Sequence, residues 1–137
     1  MQQYQLDSAK TVLKQAQNHL EENLGKDHPE LGYVYHHLGR VAFNQGNYEE
    51  SKVFLEKAIT IRQRKLGEHH PEIGRTLFNI AKLSIQEGDF GKADSIYQTI
   101  LPIYKWAFGK GIRYALVLEQ LSVVETALNN NLSLIHI

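Results

Sequence analysis

Residues 24–32 read LGKDHPELG and residues 66–74 read LGEHHPEIG, one nine-residue pattern written twice at a shift of 42. A weaker third echo, FGKGIRYAL, begins at Phe108, another 42 positions on. A fixed internal period of this length constrains a fold more than composition does, because each unit has to bury a face against its neighbour. The same shift carries Gly46-Asn47-Tyr48 onto Gly88-Asp89-Phe90, Gly39 onto Ala81, Ser51 onto Ala93 and Leu55 onto Tyr97. Run backwards, it carries Ser51 onto Ala9, Leu55 onto Leu13 and Ala58 onto Ala16. The register holds from about Leu6 to at least Gly109.

Inside each unit the apolar period is helical. Val34, Leu38, Val41 and Ala42 lie three or four apart, as do Leu77, Ile80, Ala81 and Ser84 one unit later. Beyond the Gly46 and Gly88 turns come second apolar stripes, with Val53, Phe54, Ala58 and Ile61 in one unit and Ile96, Tyr97 and Ile100 in the next. Each unit therefore predicts two amphipathic helices, and no stretch reads as a strand. Helices are expected near residues 4–23, 29–45, 48–65, 71–87, 90–107 and 112–129, with Pro102 kinking or shortening the fifth.

The nine-residue pattern is the joint between hairpins. Gly25 and Gly67 suit the position after a helix C-terminus, where positive φ is needed. His28 and His70 precede Pro, which pushes them to the extended backbone of an N-cap. Pro29 and Pro71 suit the first helical position, and Glu30 and Glu72 complement the positive helix end.

These residues together resemble the tetratricopeptide repeat family. The segment YHHLGRVAFNQGNYEESKVFLEKAI carries its Leu-Gly, its Gly-Asn-Tyr turn and its small residues at Ser51 and Ala58. LFNIAKLSIQEGDFGKADSIYQTI repeats the pattern with Ala81 and Ala93, departing at Ile100, where a small residue is usual. The common repeat is about 34 residues long; the longer unit with Leu-Gly-x-x-His-Pro-Glu is similar to the kinesin-light-chain-like subgroup. The resemblance implies an all-α solenoid of antiparallel helix hairpins wound into a right-handed superhelix. The expected array covers residues 1–131, with the second helix of a broken repeat at 1–24, repeats at 25–66 and 67–108, and a degenerate first helix at 109–131. Val123 takes the small-residue place in that last helix. Residues 132–137, LSLIHI, have no repeat counterpart and match what the end of a transposase adapter encodes, so they are read as a non-native tail on a fragment.

Composition removes several functions. Lys plus Arg is 15 and Asp plus Glu is 15, so there is no basic excess to hold nucleic acid or an anionic membrane. No apolar run approaches the roughly 20 residues that span a bilayer, and the N-terminus lacks the regions of a signal peptide. There is no cysteine, which removes disulfides, thiol catalysis and thiolate metal sites. The His36-His37 and His69-His70 pairs lack metal-ligand spacing, and His28 and His70 already serve as caps. GKGIRY at Gly109 lacks the spacing of a phosphate loop, and Gly-x-Ser-x-Gly is absent. No enzyme, catalytic residue, cofactor or metal is expected, and the protein is expected to be cytoplasmic.

What remains is a face. In stacked helical hairpins the first helix of each pair lines a concave wall. Tyr33, His37, Arg40 and Asn44 follow offsets 0, 4, 7 and 11 opposite the apolar stripe, and Arg75, Asn79, Lys82 and Gln86 repeat those offsets. No Asp or Glu interrupts either stripe, which points to an anionic partner segment held by charge and by amide groups. Asn79 also matches the groove Asn of the resembled family. Phe43, Phe78 and Ile85 flank the stripes. The expected function is a protein-interaction scaffold that binds a partner peptide, with self-association through exposed array ends. The alternative is a sensor or oligomerisation solenoid within a larger signalling protein.

Overall fold

The computed structural model describes residues 2–135, with side chains through residue 130. Six helices lie among these residues: α1 (Gln3–Leu24), α2 (Pro29–Asn44), α3 (Tyr48–Leu66), α4 (Pro71–Gln86), α5 (Phe90–Phe108) and α6 (Ile112–Ile135). The bounds of the first five fall within a residue or so of those the repeat predicts. The sixth runs further, through residues 132–135, while residues 136–137 of the expected tail lie outside the described residues. Among the described residues no helix is long and apolar enough to cross a membrane.

The joints form for the reasons their residues suggest. Gly25 and Gly67 take φ of 87° and 83°, a region that costs any side chain energy. His28 and His70 sit as N-caps in extended backbone, each ring Nδ1 accepting a hydrogen bond from the backbone N–H of Glu30 (3.2 Å) or Glu72 (3.1 Å). The hairpin turns are copies of one another. Asn47 N–H donates to the Ala42 carbonyl at 2.8 Å, and Asp89 N–H donates to the Ser84 carbonyl at 2.9 Å.

Pro102 does not shorten α5, one of the two outcomes expected of it: α5 and α3 both have 19 residues. Pro102 and Gln98, whose carbonyl loses its usual donor, are both exposed. Water can serve that carbonyl, so the missing bond does not end the helix.

The helices fall into two compact units, Met1–Glu68 and His69–Ile137. In the first, α2 and α3 form a hairpin and α1 packs on α2. Gly39 makes the hairpin possible, since a Cβ there would stand 2.6 Å from Leu55 Cδ2. Ser51, fully buried, donates its hydroxyl to the Gly39 carbonyl at 2.8 Å. Leu31, Val34, Tyr35, Leu38, Phe54 and Ala58 fill the core, with Leu13, Ala16 and Leu20 of α1 against it. Burying a side chain such as Leu31 contributes about 1.5–3 kcal/mol.

In the second unit, α4 and α5 form the hairpin and α6 packs on α5. Ala81, Ala93, Tyr97, Ile100, Val117 and Val124 are fully buried in one cluster. Ile100 stands where small Ala58 stands in the first unit, yet it is absorbed without exposure. In α6 the residues at the Gly32 and Gly39 positions are Leu116 and Val123, and both are exposed.

Candidate binding groove

All four first-stripe residues line one open cavity. Tyr33, His37, Arg40 and Asn44 of α2 form one wall of a space of about 490 Å³. The facing wall belongs to α1, through Leu6, Ala9, Val12 and Leu13. Val12 is 63% exposed there, a large apolar side chain open to solvent. Ser8 of α1 and Val41 of α2 complete the lining, which is mostly apolar, with its polar groups mainly on α2.

Each polar residue has a definite state. Arg40 and Asn44 are exposed, and Arg40 makes no ion pair or hydrogen bond among the described residues. The His37 ring lies 4.3 Å from the Tyr33 ring and meets the buried His36 ring edge-on at 5.0 Å. Nearby acids are committed elsewhere. Asp7 accepts from Gln3 (3.0 Å) and Gln45 (2.8 Å), and Glu50 pairs with Lys10 at 3.0 Å. Arg40 therefore faces the cavity with its charge uncompensated, and an anion entering it could form charge-assisted hydrogen bonds.

Beneath the groove, α1 is pinned to the hairpin. Lys14 Nζ lies 4.6 Å from the centre of the Phe54 ring, and Tyr35 donates its hydroxyl to Glu21 Oε1 at 2.6 Å. That hydrogen bond, with a second from Gln17 (3.1 Å), holds the Glu21 carboxyl below its ordinary value of 4.5. Burial and the Glu21 contact push the Tyr35 phenol well up.

The second stripe runs along α4 in the other unit. Arg75 is half-buried and ion-paired with Glu72 at 3.1 Å, so its charge is already answered. Asn79 and Lys82 are half-buried and also engaged, while Gln86 is exposed. Of the flanking aromatics, Phe78 packs on Tyr97 (5.5 Å between ring centres), and Phe43 meets Tyr48 at 5.3 Å.

A comparison at a shift of 84 explains the first unit's cavity. Tyr33, His37, Arg40 and Asn44 map onto Val117, Leu121, Val124 and Leu128 of α6. Those apolar residues are packed in the cluster that α4, α5 and α6 share. On the other wall, Ala9, Val12 and Leu13 map onto Ala93, Ile96 and Tyr97 of α5, which that cluster also covers. In the second unit Phe78, Ala81 and Ile85 of α4 belong to the same cluster, and Phe78 packs on Tyr97 of α5. Within the first unit no described helix takes that place. The α1 wall was absent from the sequence expectation, although the repeat register already paired Ala9 and Leu13 with the hairpin residues Ser51 and Leu55.

Comparison with known proteins agrees with this architecture. The family model described as Tetratricopeptide repeat matches residues 32–105. The crystal structure of BtubC (BKLC) from P. vanneervenii superimposes with a TM-score of 0.83 at 17% sequence identity, over 91% of this chain and 50% of that one. The chain thus spans about half the length of that similar structure. No curated protein matched the sequence.

Proposed function

This chain belongs to the tetratricopeptide repeat family, and we propose that it holds an anionic segment of a partner protein in the groove between α1 and α2. Repeats of this family generally serve protein–protein interaction, and the fold is a scaffold for recognition rather than a typical site of catalysis. The observation that carries the reading is the convergence of Tyr33, His37, Arg40 and Asn44 on one open cavity. Arg40 supplies the charge, Asn44 and the Tyr33 hydroxyl supply hydrogen bonds, and the α1 wall supplies apolar contact. Arg75 and Lys82, the other cations of the two stripes, already have partners, so Arg40 is the principal anchor in this reading.

The test is selection of a random peptide library on the immobilised chain. Enriched peptides are expected to carry Asp or Glu beside an apolar residue. Arg40→Glu is expected to weaken them about tenfold, roughly 1.4 kcal/mol, with helicity by circular dichroism unchanged because Arg40 is exposed. Added salt weakens the same contact through screening. Enrichment that ignores both charge and Arg40 contradicts the proposal.

A further inference from the structure

We propose that the joint between α5 and α6, residues 105–114, is a second interaction surface, which seats an acidic segment of a partner protein against Trp106. It shares no residue with the groove between α1 and α2 and stands independently of it.

The three joints of the repeat share one register, and the third differs from the others in its chemistry. Residues 21–30, EENLGKDHPE, carry four acids and one cation, and residues 63–72, QRKLGEHHPE, carry two of each. Residues 105–114, KWAFGKGIRY, carry Lys105, Lys110 and Arg113 and no acid. Between Asp94 and Glu119 the chain has no Asp or Glu at all. Lys105, Lys110 and Arg113 are exposed, and none makes an ion pair among the described residues.

Large apolar groups stand among these charges. Trp106 is 80% exposed and Ile112 78%, with Phe108 exposed beside them. Their repeat equivalents in mid-chain are Arg64, His70 and Leu66, and all three are exposed as well. Facing water is thus a property of these places in the repeat. Arg64, and Glu22 one unit earlier, are the kind of residue a solvated position carries. Trp106 at the same place buries little in its own fold, so packing does not account for it. Arg113 Cζ lies 4.4 Å from the centre of the Phe108 ring, which holds one cation beside the apolar groups.

Trp and Arg are the side chains that most often anchor a protein contact, because they bury a large area at a small cost in rotamer freedom. The surface complementary to this joint offers an apolar side chain to Trp106 and carboxylates to the cations around it. A neutral apolar partner would desolvate those cations without answering them. An anionic bilayer fits less well, since the chain's formal charge is zero and only the local cations would attract it.

Trp106 is the only tryptophan, so its emission reports on this joint alone. The probes are peptides selected from a random library on the immobilised Arg40→Glu chain, whose groove has lost its anchor. They are expected to carry an apolar residue between acids and to shift Trp106 emission to the blue on titration. Replacing their acids by amides should weaken binding at least tenfold, read by the anisotropy of labelled peptide. Trp106→Ala, and Lys105→Glu combined with Lys110→Glu, should do the same with helicity unchanged, because all three positions are exposed. Restoring Arg40 should leave the affinity of these peptides as it was. Peptides that bind without shifting Trp106 emission, and equally well to Trp106→Ala, overturn the joint as a site whatever becomes of the groove. A blue shift with anionic phospholipid vesicles and with none of the peptides makes the partner a membrane and overturns the acidic segment.

Discussion

The two units are built from complementary sets of helices. The second holds a first-type helix, a second-type helix and another first-type helix (α4, α5, α6), and its central α5 is covered on both sides. The first holds α1, α2 and α3, and its second-type helix α1 packs mainly on α2, with Lys14 reaching Phe54 and Lys10 reaching Glu50 of α3. Equivalent residues then have opposite fates: Tyr97 is fully buried, whereas Leu13 is only partly so. The residues on the neighbouring first-type helix follow suit, being Val117, Leu121 and Val124 where the space is filled and Tyr33, His37 and Arg40 where it is open.

The sharpest way to break this comparison is to truncate equivalent residues. Tyr97→Ala should cost about 3–5 kcal/mol, because it empties the centre of a closed cluster. Leu13→Ala should cost only about 1–2 kcal/mol, since part of that side chain already meets water. Urea denaturation of both variants measures the gap; equal losses would mean that the two positions share one environment.

Next in size is Gly39→Ala. Its new Cβ would stand 2.6 Å from Leu55 Cδ2 and 2.7 Å from Leu55 Cγ, so α2 and α3 must separate or Leu55 must move. A loss of about 1–3 kcal/mol is expected by the same denaturation. Ala81 already occupies the corresponding place in the second unit, facing Tyr97 rather than Leu. The small-residue rule thus depends on the side chain opposite.

Much of this was legible in the sequence, and the reason is local chemistry. The His-Pro-Glu joints and the Gly46 and Gly88 turns make their caps and turn bonds within a few residues, so one register fixed five helices closely. Whether Pro102 would shorten α5 was not legible, because the cost of a proline depends on whether the orphaned carbonyl faces water, which is a tertiary fact. The polar offsets of the first stripe are visible in one dimension, and the structure places all four residues on one cavity. The facing wall was not legible, since Ala9, Val12 and Leu13 read as ordinary core by their spacing. The second stripe was overvalued as free charge: Glu72 lies three residues before Arg75, a spacing that allows an ion pair and was counted only as helix-end charge.

Smaller effects sharpen the picture. The Tyr97 hydroxyl is buried with no hydrogen-bond partner among the described residues, and burial pushes its pKa up to about 12. Tyr97→Phe should therefore be neutral or stabilising, by up to about 1 kcal/mol in denaturation. A clear destabilisation would reveal a partner for that hydroxyl.

The smallest expected effect is a pH dependence in the first unit. Glu21 has its folded pKa lowered, so its contribution to stability is present above the unfolded value near 4.5 and is lost as pH falls through the folded value. Tyr35→Phe removes the hydroxyl responsible while leaving the ring against Phe54 (6.1 Å between centres). The difference in melting temperature between wild type and variant should be present at neutral pH and shrink on acidification below about 4.5. A difference that stays constant with pH would assign the effect to packing.

The central claim is that Val12 lines an open cavity in the first unit while its repeat equivalent Ile96 is packed against the core cluster of the second. The chain has no cysteine, so single thiols can be placed at will, and the most direct measurement is the labelling rate of the Val12→Cys variant against the Ile96→Cys variant. These positions are equivalent in the repeat, one 63% exposed and the other half-buried beneath α4. The account predicts that Val12→Cys labels about tenfold faster than Ile96→Cys. Equal labelling rates would contradict it.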